Sequence, residues 1–225
     1  ATQVRLNLAD NTGKPWLRSL ASSYGPRPSW WPRNWAWGPQ WTGCVADRDM
    51  NHDTTDTEPT SDATAYPQAE CATSKLTEIR PLTANFTDLR DTVDAMVSAG
   101  NTNVTVGIAW GMAALSHTAP LEEASAPGAV EGLKRIMIVL TDGQNTQNRF
   151  TSNTGSIDDR TELACQSAKD DGIELYTVRV VDGNSDLLRD CATDPSHFFD
   201  VEDVSDLLPV FQTITTRISE LRIAR

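Results

Sequence analysis

Apolar positions change their rhythm near residue 80. From residue 81 onward they recur at intervals that write regular elements. Phe86, Leu89, Val93, Met96 and Val97 share one face at helical spacing and the stretch stops at Gly100, which predicts an amphipathic helix over about residues 85–99. A second helix is expected over 103–115, before a loop marked by Pro120, Pro127 and Gly128. Residues 136–140 are an unbroken apolar run, as a strand buried on both faces requires. A helix over 159–169, a strand over 173–181, a short helix over 185–191, a brief strand over 197–201 and a closing amphipathic helix over 205–221 follow. Strands alternating with helices predict βαβ units. The class is α/β, with a mostly parallel sheet and helices on both faces.

The first 80 residues read differently. Val4, Leu6 and Leu8 alternate with polar neighbours, so residues 1–13 are expected to supply a strand and loop of the sheet. Residues 14–43 carry six of the seven tryptophans and five prolines, a mixture unsuited to a regular helix or a central strand. Residues 44–71 hold seven acids against one base, Arg48. The expected organisation is therefore a strand and loop at 1–13, an irregular Trp/Pro-rich and acidic insertion at 14–80, and the α/β body at 81–225.

A chain of 225 residues accommodates one large domain, or one domain with such an insertion. Its net charge of −12 excludes a nucleic-acid partner, because the phosphate backbone demands a basic face. No run approaches the roughly 18 apolar residues of a spanning helix, so no membrane contact is expected from this segment. The N-terminus carries no signal-peptide pattern.

Cys44, Cys71, Cys165 and Cys191 form no CxxC and lie near no histidine pair, which disfavours zinc. Spacing favours local pairing, 44 with 71 and 165 with 191, among three connectivities. Four buried free thiols are the alternative, and only disulfides would imply an oxidising compartment.

Ligands of open parallel sheets bind beyond the carboxyl ends of the strands. Thr141, Asp142 and Gly143 stand at such an end, so Asp142 is either a carboxylate available to a metal or phosphate, or a turn former. Thr102 opens the helix at 103–115, where an ordinary N-terminal cap is the alternative to a ligand. Asp47, Asp49, Asn51, Asp53 and Glu58 match positions 1, 3, 5, 7 and 12 of a calcium loop, but His52 stands where glycine is needed and no helices flank it. A solvated acidic loop is the expectation there. His52, His117 and His197 are scattered, and no nucleophile motif accompanies them. No enzyme is expected.

With Thr102 in a G-x-T-N loop and Asp142 in a strand-terminal T-D-G, the sequence resembles the von Willebrand factor A domain, a Rossmann-like α/β fold. That family's metal-ion-dependent adhesion site combines such a Thr and Asp with a D-x-S-x-S loop. The segments WTGCVADRD, GNTNVTVGIAWG, IVLTDGQNT and LLRDCATDPSHFFDV further resemble TadG-type proteins of the bacterial tight-adherence (Flp) pilus assembly system. The resemblance implies that both cysteine pairs are disulfides, that the domain faces the periplasm or the cell exterior, and that it is a non-enzymatic interaction domain in pilus assembly or adhesion. It implies Mg²⁺, with Ca²⁺ less suitable, held by Thr102 and Asp142 and open to a carboxylate of a protein partner in the envelope or pilus.

The departure is the third loop. The only candidate runs Asp10, Asn11, Thr12, Gly13, Lys14, and an ammonium at the last position repels a cation. Asp10 and Thr12 are the candidate remaining ligands. The reading favoured here places the first strand, its metal loop and the first helix upstream of Ala1, so that the fold is N-terminally incomplete and its own missing segment would be a partner. The rival reading has a dead metal site, with Trp30, Trp31, Trp35, Trp37 and Trp41 making the partner contact.

Overall fold

A computed structural model of the chain describes residues 3–7, 14–18, 41–71 and 76–223. Its elements run β1 (Gln3–Arg5), β2 (Leu17–Arg18), β3 (Cys44–Ala46), β4 (Tyr66–Ala69), α1 (Phe86–Asp94), α2 (Val104–Ala114), β5 (Arg135–Thr141), α3 (Thr154–Asp170), β6 (Ile173–Val180), α4 (Ser185–Cys191), β7 (Phe198–Val201) and α5 (Leu207–Ile223). This is the α/β class expected from the alternation of elements.

The body is a parallel sheet of order β5-β6-β7, with Ile136 beside Glu174 and Val178 beside Phe199. Side chains on β6 alternate between two cores, as the pleat dictates. Ile173 and Leu175 pack with Val104, Ile108, Met112, Met137, Ala164 and Leu187 under α2, α3 and α4. Tyr176, Val178 and Val180 pack with Val201 and with Val210, Ile214 and Ile218 of α5 on the opposite face. That second layer reaches Ile136 at the start of β5 but leaves Ile138 and Leu140 37% and 44% exposed. Among the described residues β5 is an edge strand.

Helix α2 is apolar all round because it is buried on two sides. Ile108 and Met112 face the parallel sheet, while Val106, Trp110 and Ala113 face Leu6, Trp16, Val45 and Tyr66 of a second, four-stranded sheet. The close approach to β5 is made at Gly111, where an added Cβ would stand 2.7 Å from Met137 Sδ. The second sheet has the order β1-β3-β4-β2, with β1 and β4 both antiparallel to β3.

Two expectations for the first 80 residues therefore change. Strand β1 belongs to this accessory sheet, pairing with β3, rather than to the parallel sheet. The 14–80 segment is not irregular throughout: β2, β3 and β4 lie within it, at two to four residues each too short to show a period of two.

Helix ends also move. Asn153 caps α3 through a 2.9 Å bond from Ser156 N–H, so α3 starts earlier than expected. Helix α1 ends at Asp94, short of the expected end, with Thr92 its buried residue and Val93, Met96 and Val97 left exposed. Both disulfides are formed as the local pairing expects, Cys44–Cys71 and Cys165–Cys191, the second stapling α3 to α4.

Candidate functional site

The loops after β5 and before α2 meet beyond the carboxyl end of the parallel sheet. Gly100 takes a φ of +80°, a left-handed turn suited to glycine, and lets the chain enter α2. Asn103 caps α2, accepting from Val106 N–H at 3.3 Å. Thr102 N–H donates to Thr146 Oγ1 at 2.9 Å and Thr102 carbonyl accepts from Thr146 N–H at 3.0 Å. The buried Asn145 ties the two loops further: its Oδ1 accepts from Val104 N–H at 2.8 Å, and its amide donates to Asp158 at 2.7 Å and to Thr161 Oγ1 at 3.0 Å. Asn184, after β6, donates to the other Asp158 oxygen at 2.9 Å. Asp158 thus anchors both post-strand loops. Sequence reasoning missed Asn145, Asp158 and Asn184 because each looks like an ordinary loop or helix-start residue until the chain is folded.

The two expected ligand loops are brought together. Thr102 Oγ1 lies 3.6 Å from where a Cβ on Gly143 would stand, so the T-D-G turn abuts the threonine hydroxyl. Asp142 is exposed, and among the described residues neither its carboxylate nor Thr102 Oγ1 is engaged in a hydrogen bond or ion pair. The donor chemistry, one hydroxyl and one carboxylate, suits a hard cation. The number does not: among the described residues no group of three or more His, Cys, Asp or Glu converges to hold a metal. Asp10 and Thr12 lie outside the described residues.

The acidic segment is organised by arginines, not arranged as a calcium loop. Asp49 is shared between Arg18 at 2.8 Å and Arg149 at 3.0 Å, and these guanidinium groups hold its carboxyl below the usual range. Asp53 is gripped by both Nε and Nη2 of Arg160. Arg48 is 3% exposed and donates to the carbonyls of Thr55, Thr57 and Thr64 while lying 4.7 Å over the Tyr66 ring. Burial pushes the Tyr66 hydroxyl up to about 12.

Asp47 closes the contact between this segment and the body. Its Oδ2 accepts from Arg149 N–H at 2.9 Å and from Asn103 Nδ2 at 3.3 Å, and its carbonyl accepts from Arg149 Nη1 at 2.7 Å. Of the tryptophans proposed for partner contact, Trp41 is half-buried, donates Nε1–H to Cys44 carbonyl at 2.5 Å and packs against the accessory core. It is an internal anchor. Trp30, Trp31, Trp35 and Trp37 lie outside the described residues.

The family model for the von Willebrand factor type A domain matches residues 72–215. The chain belongs to that family. Its structure is similar to proximal thread matrix protein 1 from the mussel byssus, solved with a zinc-occupied MIDAS motif, at 17% identity and a TM-score of 0.41 over 59% of this chain and 28% of that one. It is also similar to the pilus adhesin SpaC from Lactobacillus rhamnosus GG, at 14% identity and a TM-score of 0.43 over 61% of this chain and 21% of that one. The likeness spans under a third of either neighbour's length. Comparison with curated proteins finds no match. In this von Willebrand A chain, the paired cysteines fit an oxidising compartment, and no helix among the described residues is long and apolar enough to cross a membrane.

Proposed function

We propose that this von Willebrand A chain is a non-enzymatic interaction domain of the bacterial envelope or cell surface, serving pilus assembly or adhesion as in TadG-type proteins, in the periplasm or outside the cell. The observation that carries the reading is the juxtaposition of Thr102 Oγ1 with the Asp142–Gly143 turn at the carboxyl end of the sheet. Thr102 and Asp142 would hold Mg²⁺ in preference to Ca²⁺, with Asp10 and Thr12 or residues outside this sequence completing the set. When bound, the ion would supply a Lewis-acidic point for a carboxylate of a protein partner. The chain's own residues fix the geometry: Asn145 and Thr146 lock the Thr102 loop, and Asp158 ties together the loops after β5 and β6.

A hard cation wants about six oxygen ligands, and two protein ligands offset little of its dehydration. Calorimetric titration of the chain with Mg²⁺ is therefore expected to give an affinity weaker than about millimolar. The weak heat should vanish in both Thr102→Ala and Asp142→Ala, with melting temperatures unchanged because neither side chain is engaged in a described hydrogen bond. Saturable Mg²⁺ binding that survives both substitutions would remove these residues from the site.

A further inference from the structure

Among the carboxyls that join the accessory layer to the body, Asp47 stands in an unusual position. Asp47 is 5% exposed, and only one of its two oxygens is served: Oδ2 takes the Arg149 and Asn103 donors, while Oδ1 is buried without a hydrogen-bond partner. Asn103 is the cap of α2, one residue from Thr102, and Arg149 stands in the loop that follows β5. Among the described residues the charged groups facing Asp47 are Arg149 from that loop and Asp53 from its own segment. Asp53 is itself neutralised by Arg160 of α3, and Arg149 is shared with Asp49. An ionised Asp47 therefore buries an oxygen that no donor stabilises. A protonated one keeps both Oδ2 bonds and buries a neutral hydroxyl there in place of charge, a smaller penalty.

We propose that Asp47 is a proton-operated latch that holds the accessory layer, residues 44–71, against the loops bearing Thr102 and Asp142. Protonation of Oδ1 fastens the layer, and ionisation loosens it. The latch concerns the docking of the layer, and it stands whether or not Thr102 and Asp142 bind a metal.

Burial pushes the Asp47 carboxyl up to about 6, against the lowering effect of the Arg149 N–H and with a further push from Asp53. The docked form thus binds a proton that the open form, near the ordinary 3.8, does not. The stabilisation is fully present below the ordinary value, declines as pH rises between the two values, and is gone above about pH 6 to 7. Between pH 7 and pH 5 the open fraction should fall about tenfold.

Amide hydrogen exchange, corrected for intrinsic rates, tests this on the full chain. Protection across 44–71 is expected to rise about tenfold from pH 7 to pH 5, while protection in β6 stays level. In Asp47→Asn it should stay pH-independent. Asp49→Asn, which removes an exposed partner of Arg149, should lower protection equally at both pH values and keep the pH dependence. A carbon NMR titration of the wild-type Asp47 carboxyl supplies the check that needs no variant. Titration near 4, protection that is flat with pH in the wild type, or an undiminished pH dependence in Asp47→Asn would each overturn the latch.

Discussion

Replacing Arg48 by methionine tests the claim that a buried guanidinium, and not a metal, organises the acidic segment. The side chain is 3% exposed and spends its donors on three carbonyls, Thr57 at 2.6 Å, Thr64 at 3.1 Å and Thr55, with Tyr66 beneath it. Methionine fills much of the same volume and supplies no donor. At about 1.5 kcal/mol for each charge-assisted bond and about 0.5 kcal/mol for the aromatic contact, the gross loss is about 5 kcal/mol. Relief from desolvating the cation returns about 2 kcal/mol, leaving a net loss of about 3 kcal/mol. That is a large share of a typical domain's 5–15 kcal/mol. Trp16 and Trp110 report it, since both are buried where the accessory sheet meets α2, and denaturant unfolding followed by their fluorescence should shift by this amount. Arg48→Lys should recover less than half, because one ammonium cannot span three carbonyls as a planar fork does. Added Ca²⁺ should not rescue Arg48→Met, since Asp49 and Asp53 stay committed to Arg18, Arg149 and Arg160. A loss below about 1 kcal/mol, or rescue by Ca²⁺, would refute the reasoning.

Two further outcomes follow from the packing. Gly111→Ala places a Cβ 2.7 Å from Met137 Sδ and 2.8 Å from its Cε. The strain of about 2 kcal/mol in displacing the buried Met137 thioether outweighs a helix-propensity gain of about 1 kcal/mol, so a melting curve should show a net loss near 1 kcal/mol, and a gain would show that the thioether swings aside freely. Removing the Cys165–Cys191 bridge by a double change to serine frees a link spanning 26 residues between two buried positions, and should cost about 3 kcal/mol in denaturant unfolding under non-reducing conditions. An unchanged midpoint would mean that α3 and α4 are held by packing alone.

Much of the body was legible because its signals are local. The apolar run that becomes β5 and the strand that becomes β6 are each written within a few residues, although only β6 is buried on both faces, while the asparagines that cap α2, α3 and α4 passed as ordinary loop residues until the helices were in place. The two short-range cysteine pairs and the positions of Thr102 and Asp142 at element ends are legible for the same reason. What the linear order could not express is which distant segments meet. Arg149 donates to Asp47 from 102 residues away, and that contact converts a residue expected in a solvated loop into a buried carboxyl with one unserved oxygen. Strand β1 alternates as a strand of either sheet would, and only the pairing of Gln3 with Ala46 assigns it to the accessory layer. The uniform apolarity of α2 announces burial without a direction. Its division, Met112 to the parallel sheet and Trp110 to the accessory one, was decided by long-range packing, because hydrophobic burial is non-directional and every apolar side of that helix fits a core equally well.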